Sequence, residues 1–262
     1  MKLTKTFCTV LAVVGLIGFS NLSYAAGEAE ELPDMSWEFE GPFGHYDKAA
    51  LQRGLQVYRN VCSACHSLKR VRFRNLEALG YDESQIKAIA AEYTVTDGPN
   101  DEGEMFDRPA RPSDAFPSPY ANDKQAAYAN NGAIPPDLSL ITKARAGGAT
   151  YTAALLHGYE DPPAEWAEKN QLLPGQYYNK YMAGHVIAMP PPLAEGQVAY
   201  EDGTETTVEQ YSRDVAHFLN WAAEPELEER KRMGVKVFLF LLAFAGIMFA
   251  VKKRVWSDIK GK

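Results

Sequence analysis

The stretch DKAALQRGLQVYRNVCSACH, residues 47–66, carries the strongest signal in the chain. Leu51, Leu55, Tyr58, Cys62 and Cys65 are spaced four, three, four and three apart, which places them on one face of a helix. Asp47 has the chemistry of an N-cap. A helix from about Asp47 therefore leads its apolar stripe into a C-x-x-C-H motif. Two thiols at this spacing can add across the vinyl groups along one porphyrin edge, and the adjoining imidazole can reach the iron. A redox disulfide would call for a thioredoxin-like βαβ pattern, which does not surround the motif. A zinc site would call for a second cysteine pair, and the five histidines are scattered. The motif predicts one covalent haem c on Cys62 and Cys65, with His66 as proximal ligand to the iron.

The other axial position decides what such a haem does. An open site permits ligand binding or peroxide chemistry, whereas a closed one leaves electron transfer. Met189 is the best candidate, because Ala188-Met189-Pro190-Pro191-Pro192 is a stiff, extended segment able to hold a thioether in place. A methionine is also common core filling. Met105, Met182, His45, His157, His185 and His217 remain rivals on this reasoning.

A second helix is expected from a capping box at Thr206 and Glu209 to about Ala223, ended by Pro225. Its apolar face is Val208, Tyr211, Val215, Phe218 and Leu219. Between the two helices the sequence reads as loop-rich, notably at 96–123 and 161–174. Loops this long are expected to wrap a haem edge or to form partner surfaces.

The chain has 262 residues, 46% of them hydrophobic and 23% charged, which suits one globular core. Both ends read differently. Residues 1–25 have a positive start at Lys2 and Lys5, an apolar run and a small-x-small site at Ser23-Tyr24-Ala25, as in a cleaved secretory signal. Cleavage there removes Cys8, leaving no pair for a structural disulfide if Cys62 and Cys65 hold haem. Residues 231–252 read as a transmembrane anchor. Its apolar part, MGVKVFLFLLAFAGIMFAV at 233–251, is 19 residues or roughly 28 Å of helix, close to the ~30 Å hydrocarbon core. Lys236 can snorkel to the near interface, and Lys252-Lys253-Arg254 favours a cytoplasmic tail at 253–262. Arg230-Lys231-Arg232 flanks the other end, so it is the signal segment that decides the orientation. The exported part is then 26–230. It holds 17 Lys and Arg against 33 Asp and Glu, a charge of −16, while the whole chain is −7. Such a surface disfavours nucleic acid and favours a basic protein partner.

The chain closely resembles the cytochrome c1 family, the haem subunit of quinol–cytochrome c reductase. The resemblance rests on CSACHSL at 62–68, DGPNDEGEMFDRP at 97–109 and ANNGAIPPDLSLITKARAGG at 129–148. It continues through GHVIAMPPPL at 184–193 and WAAEPELEERKRMG at 221–234. It implies a mainly α fold: a cytochrome c-type haem domain enlarged by long loops, plus one C-terminal transmembrane helix. It implies that Met189 is the sixth ligand and that Arg145 pairs with a haem propionate. It places Tyr120, Asn130, Pro136 and Tyr151 around the haem. The implied role is an electron-transfer subunit with no catalytic site of its own. It would work between the Rieske iron–sulfur protein and a soluble or anchored cytochrome c. The implied setting is a dimeric complex with cytochrome b in the bacterial inner membrane, haem domain in the periplasm. One departure is that some members carry an extra disulfide in the haem domain. This chain lacks those cysteines, so packing alone must secure the pocket.

Overall fold

The computed structural model describes residues 29–260. The expected signal segment lies outside them. The architecture is mostly helical, as expected, with two small antiparallel strand pairs that the sequence reading does not include. Helix α1 (Lys48–Asn60) begins where Asp47 accepts a hydrogen bond from the Ala49 N–H at 2.9 Å. Its buried face includes Leu51, Leu55 and Tyr58, each about fully buried. The helix stops at Asn60, so the expected continuous face does not extend to the cysteines. Cys62–Ala64 forms a 3-10 turn instead. The N–H groups of Cys65 and His66 both donate to the Cys62 carbonyl, at 3.1 and 2.9 Å.

Between the two expected helices the chain is more ordered than a loop reading allows. A 3-10 turn at Phe73–Leu79 is followed by α2 (Glu83–Ala91) and a hairpin of β1 (Thr94–Asp97) and β2 (Phe106–Pro109). Short helices α3 (Asp123–Ala129), α4 (Ile141–Ala144), α5 (Gly148–His157) and α6 (Ala164–Ala167) come next. A two-residue ladder pairs β3 (Tyr177–Tyr178) with β4 (Val186–Ile187). Helix α7 (Val208–Ala223) ends the domain. Its N-cap is Thr207, not Thr206, and the Thr207 Oγ1 accepts from the Gln210 N–H at 3.2 Å.

Helices α1 and α5 both pack on α7. Where α1 crosses α7, Arg53 donates to Asp214 at 2.9 Å, and the Asp214 side chain is 2% exposed. The core continues as an aromatic cluster in which Tyr58 meets both Phe116 and Phe218, and the Phe116 ring lies tilted against Phe73 with centroids 4.4 Å apart. Loop residues thus supply part of the core, which is why 96–123 is not a free connection.

An N-terminal strap, residues 37–46, covers the other side of α7. Trp37, Phe39 and Tyr46 are buried around His217, with ring centroids 6.2, 5.1 and 5.6 Å from it. Glu38 lies 3.7 Å from His217 Nδ1, and His217 Nε2 has no hydrogen-bond partner among the described residues. Burial lowers the His217 pKa, although Glu38, Asp47 and Asp214 pull it up and Arg213 pushes it down. At neutral pH both the folded and the unfolded chain hold this histidine largely neutral, so no proton-linked cost arises. Below about pH 6.5 the unfolded chain binds a proton that the folded chain refuses, so stability falls with acidification. Urea midpoints of the haem-loaded chain at pH 7.5 and 5.5 should show this loss, and His217→Gln should reduce it. An equal acid loss in the variant would remove His217 as a source.

Helix α8 (Leu227–Lys260) is 34 residues long, about 51 Å, and runs unbroken through the expected 231–252 segment. It is long and apolar enough to cross a membrane over Leu227–Ser257, and its apolar stretch is unburied.

Candidate functional site

The site is built where the end of α1 turns back beneath the segment 136–139. Cys62 and Cys65 are free thiols, and both are partly buried. Burial pushes the Cys62 thiol up to about 12, with Cys65 adding to the shift, so it stays protonated at neutral pH. His66 Nδ1 lies 2.8 Å from the Pro136 carbonyl oxygen. A carbonyl only accepts, so the Nδ1–H donates and Nε2 keeps its lone pair for a metal. Burial lowers the His66 pKa, against the opposing pull of Pro136 and Asp137. The ring is therefore neutral at neutral pH, which is the ligating form.

Two residues not singled out by sequence hold this geometry. Tyr58 donates its hydroxyl to the His66 carbonyl at 3.2 Å. Asp137 accepts from Ser67 Oγ at 2.7 Å, the Lys69 N–H at 2.9 Å and the Ser139 N–H at 3.0 Å. Burial alone would raise the Asp137 pKa, but bonds from Lys69, Ser139 and Ser67 hold it below the usual carboxylate range. The Leu138 N–H donates to the Ser67 carbonyl and the Arg70 N–H to Ser139 Oγ, so segments 66–70 and 136–139 are laced together. The Pro136 carbonyl is thereby fixed against the imidazole. Only the adjacent prolines Pro135-Pro136, which supply acceptors but no donors, hint at this in the sequence.

The remaining expected residues fall into separate groups. Asn130 caps α3 and donates to the Tyr120 hydroxyl at 3.0 Å and the Ala126 carbonyl at 2.7 Å. Tyr151, on α5, donates to Met182 Sδ at 3.5 Å. Burial raises its pKa while the nearby Arg145 charge pulls it down. Arg145 is exposed, donates to the Ala144 carbonyl at 3.1 Å and pairs with no carboxylate among the described residues, so its charge is available to an external anion. Met189 is half-buried, just beyond β4. Its carbonyl accepts from the Tyr159 hydroxyl at 3.0 Å, which fixes the backbone and leaves the thioether free. Met189 is not hydrogen-bonded to the 62–66 motif. Two thiols, one oriented neutral imidazole, a thioether on a fixed backbone and an available guanidinium form a donor set that fits a covalently held iron porphyrin with anionic side groups.

The sequence matches the Cytochrome C1 family over residues 37–259. It is 51% identical to cytochrome c1 of Rhodospirillum rubrum, covering 87% of this chain and 89% of that one. It is 49% identical to the mitochondrial cytochrome c1-1, a heme protein, of Solanum tuberosum over 95% of this chain and 78% of the other. Cytochrome b/c1 of Bradyrhizobium diazoefficiens is 45% identical over 98% of this chain, which spans only 40% of that longer protein.

Proposed function

This chain belongs to the cytochrome c1 family, and from that premise we propose that it relays single electrons from the Rieske iron–sulfur protein to a soluble or membrane-anchored cytochrome c. It is a haem electron-transfer subunit, a component of a bc1 complex. The finer reading is a dimeric assembly with cytochrome b in a bacterial inner membrane, with α8 spanning once, 26–230 in the periplasm and the tail in the cytoplasm. The observation that carries it is His66, kept neutral by burial and oriented by the Pro136 carbonyl beside two free thiols. When bound, covalent haem c would supply one-electron redox chemistry. Cys62 and Cys65 hold it, and His66 presents Nε2. Met189 would offer its thioether to the iron from a backbone pinned by Tyr159. Arg145 offsets a carboxylate that would otherwise be an uncompensated charge. Tyr120, Asn130, Pro136 and Tyr151 shape the surroundings.

The acidic surface supports a basic acceptor. On the loop between β1 and β2, Asp101, Glu102 and Glu104 are exposed beside Met105, which is 61% exposed. Long-range attraction of this kind is screened by salt. Stopped-flow oxidation of the reduced chain by a basic cytochrome c should slow by about tenfold or more between ~0.01 and ~0.2 M salt. A salt-independent rate would count against a charged docking face. Absence of any transfer would count against the relay itself.

A further inference from the structure

We propose that the turn at residues 41–44 dips into the lipid headgroup region, with Phe43 as a second membrane contact beside α8. The inference rests on reading α8 as a membrane span and adds a contact which that reading does not contain. Phe43 is 82% exposed, although it belongs to the same strap whose Trp37, Phe39 and Tyr46 are all buried. The turn closes tightly on itself: a Cβ on Gly44 would lie 1.9 Å from the Glu40 carbonyl oxygen, so the backbone leaves no room for a side chain there.

The turn is tied to the start of α8. The Tyr46 N–H donates to Glu228 at 2.9 Å. Lys231 Nζ donates to the carbonyls of Phe39 and of Gly44, the latter at 3.3 Å. From Tyr46 to Gly44 the contacts advance from 228 to 231, in the direction in which α8 leaves the domain. The strap on either side of the tip is thus bonded to α8 at Glu228 and Lys231, just before the exposed apolar surface that starts at Met233. The tip is uncharged: Gly41, Pro42 and Phe43 are all exposed, and Glu40 and His45 stand at its roots. Beyond Lys231 on α8, the exposed Arg232 and Lys236 have no salt-bridge partner among the described residues and suit an anionic headgroup layer. An aromatic ring at that depth moves from water to the acyl boundary without unpairing any polar group.

The test uses the haem-loaded full chain in phosphatidylcholine–phosphatidylglycerol vesicles. Cys62 and Cys65 are consumed by haem, and Cys8→Ser covers an uncleaved leader. Single cysteines at Phe43→Cys, Phe240→Cys and Tyr128→Cys then carry an environment-sensitive fluorophore. Lipids spin-labelled high on the acyl chain should quench the label at 43 about threefold more than the label at 128, which sits on a 92% exposed residue of α3. A label at 43 that behaves like the one at 128, while 240 is quenched by deep lipid probes, overturns the proposal and leaves the span intact. If 240 is also unquenched, the span reading fails, and the proposal with it. Shielding of position 43 from both lipid and aqueous iodide in the assembled complex would mean that protein covers the turn, and would equally overturn it. Phe43→Trp offers a label-free second reading of depth.

Discussion

Met189→Leu is expected to leave the haem attached and to lower its midpoint potential by more than about 100 mV, a fraction of the ~0.8 V range that axial ligands govern. A neutral thioether favours reduced iron, and an alkyl group cannot replace it. Leucine has nearly the same volume, so the segment should keep its packing. The Tyr159 bond is to the Met189 backbone and survives the change. The variant should also lose the absorption signature of sulfur–iron ligation and, when reduced, bind carbon monoxide. The fold weakens several rivals. Met182 is engaged by Tyr151, and His217 lies in the strap cage. Met105 is exposed on a hairpin loop, and His157 approaches Ser212 at 3.4 Å. A redox titration with optical spectra decides the matter. Unchanged spectrum and potential would remove Met189 from the site.

What the sequence revealed, and what it hid, follows from element length and from the kind of interaction. Helices α1 and α7 have 13 and 16 residues, long enough for an apolar face to repeat, and their ends carry capping side chains. The placement of the second cap slipped by one because two threonines stand side by side and either can act. Helices α4 and α6 have four residues each, too few for any period to register. Helix α5 is GATYTAALLH, small and apolar on most sides, so it has no contrast between faces. Helix α2 did carry a signal, the reciprocal box of Asp82 and Gln85, which a search for apolar stripes passes over. At the site, the thiol spacing is local and legible. The lacing by Asp137 spans about 70 positions, from Ser67 and Lys69, and no local pattern encodes it. The Tyr120–Asn130 hydrogen bond likewise follows no helical or strand period, and the roles of Tyr120, Asn130, Arg145 and Tyr151 around a haem rest on the resemblance.

Gly54→Ala should be among the most damaging single changes outside the haem motif. In an ordinary helix interior it would stabilise by up to ~1 kcal/mol. Here the added Cβ would lie 2.1 Å from the Asp214 carbonyl oxygen and 2.6 Å from Phe218 Cβ. Those are fixed parts of α7, so the two helices must separate. Overpacking of that kind costs ~1–3 kcal/mol. Separation also strains the neighbouring Arg53–Asp214 pair, whose carboxylate is almost fully buried; losing such a pair outright costs ~3–5 kcal/mol. Partial loss of both puts the net destabilisation at ~2–4 kcal/mol. Gly234→Ala is the matched control, a helical glycine whose Cβ would meet nothing within 4 Å. Guanidinium unfolding of the haem-loaded chain, followed by far-ultraviolet circular dichroism, should show a large drop for position 54 and none for 234. If Gly54→Ala does not fold, a low yield of haem-loaded protein beside a normal yield for Gly234→Ala reports the same effect. Equal midpoints would mean that α1 and α7 are not in the close contact that carries Cys62, Cys65 and His66 to the Pro136 carbonyl.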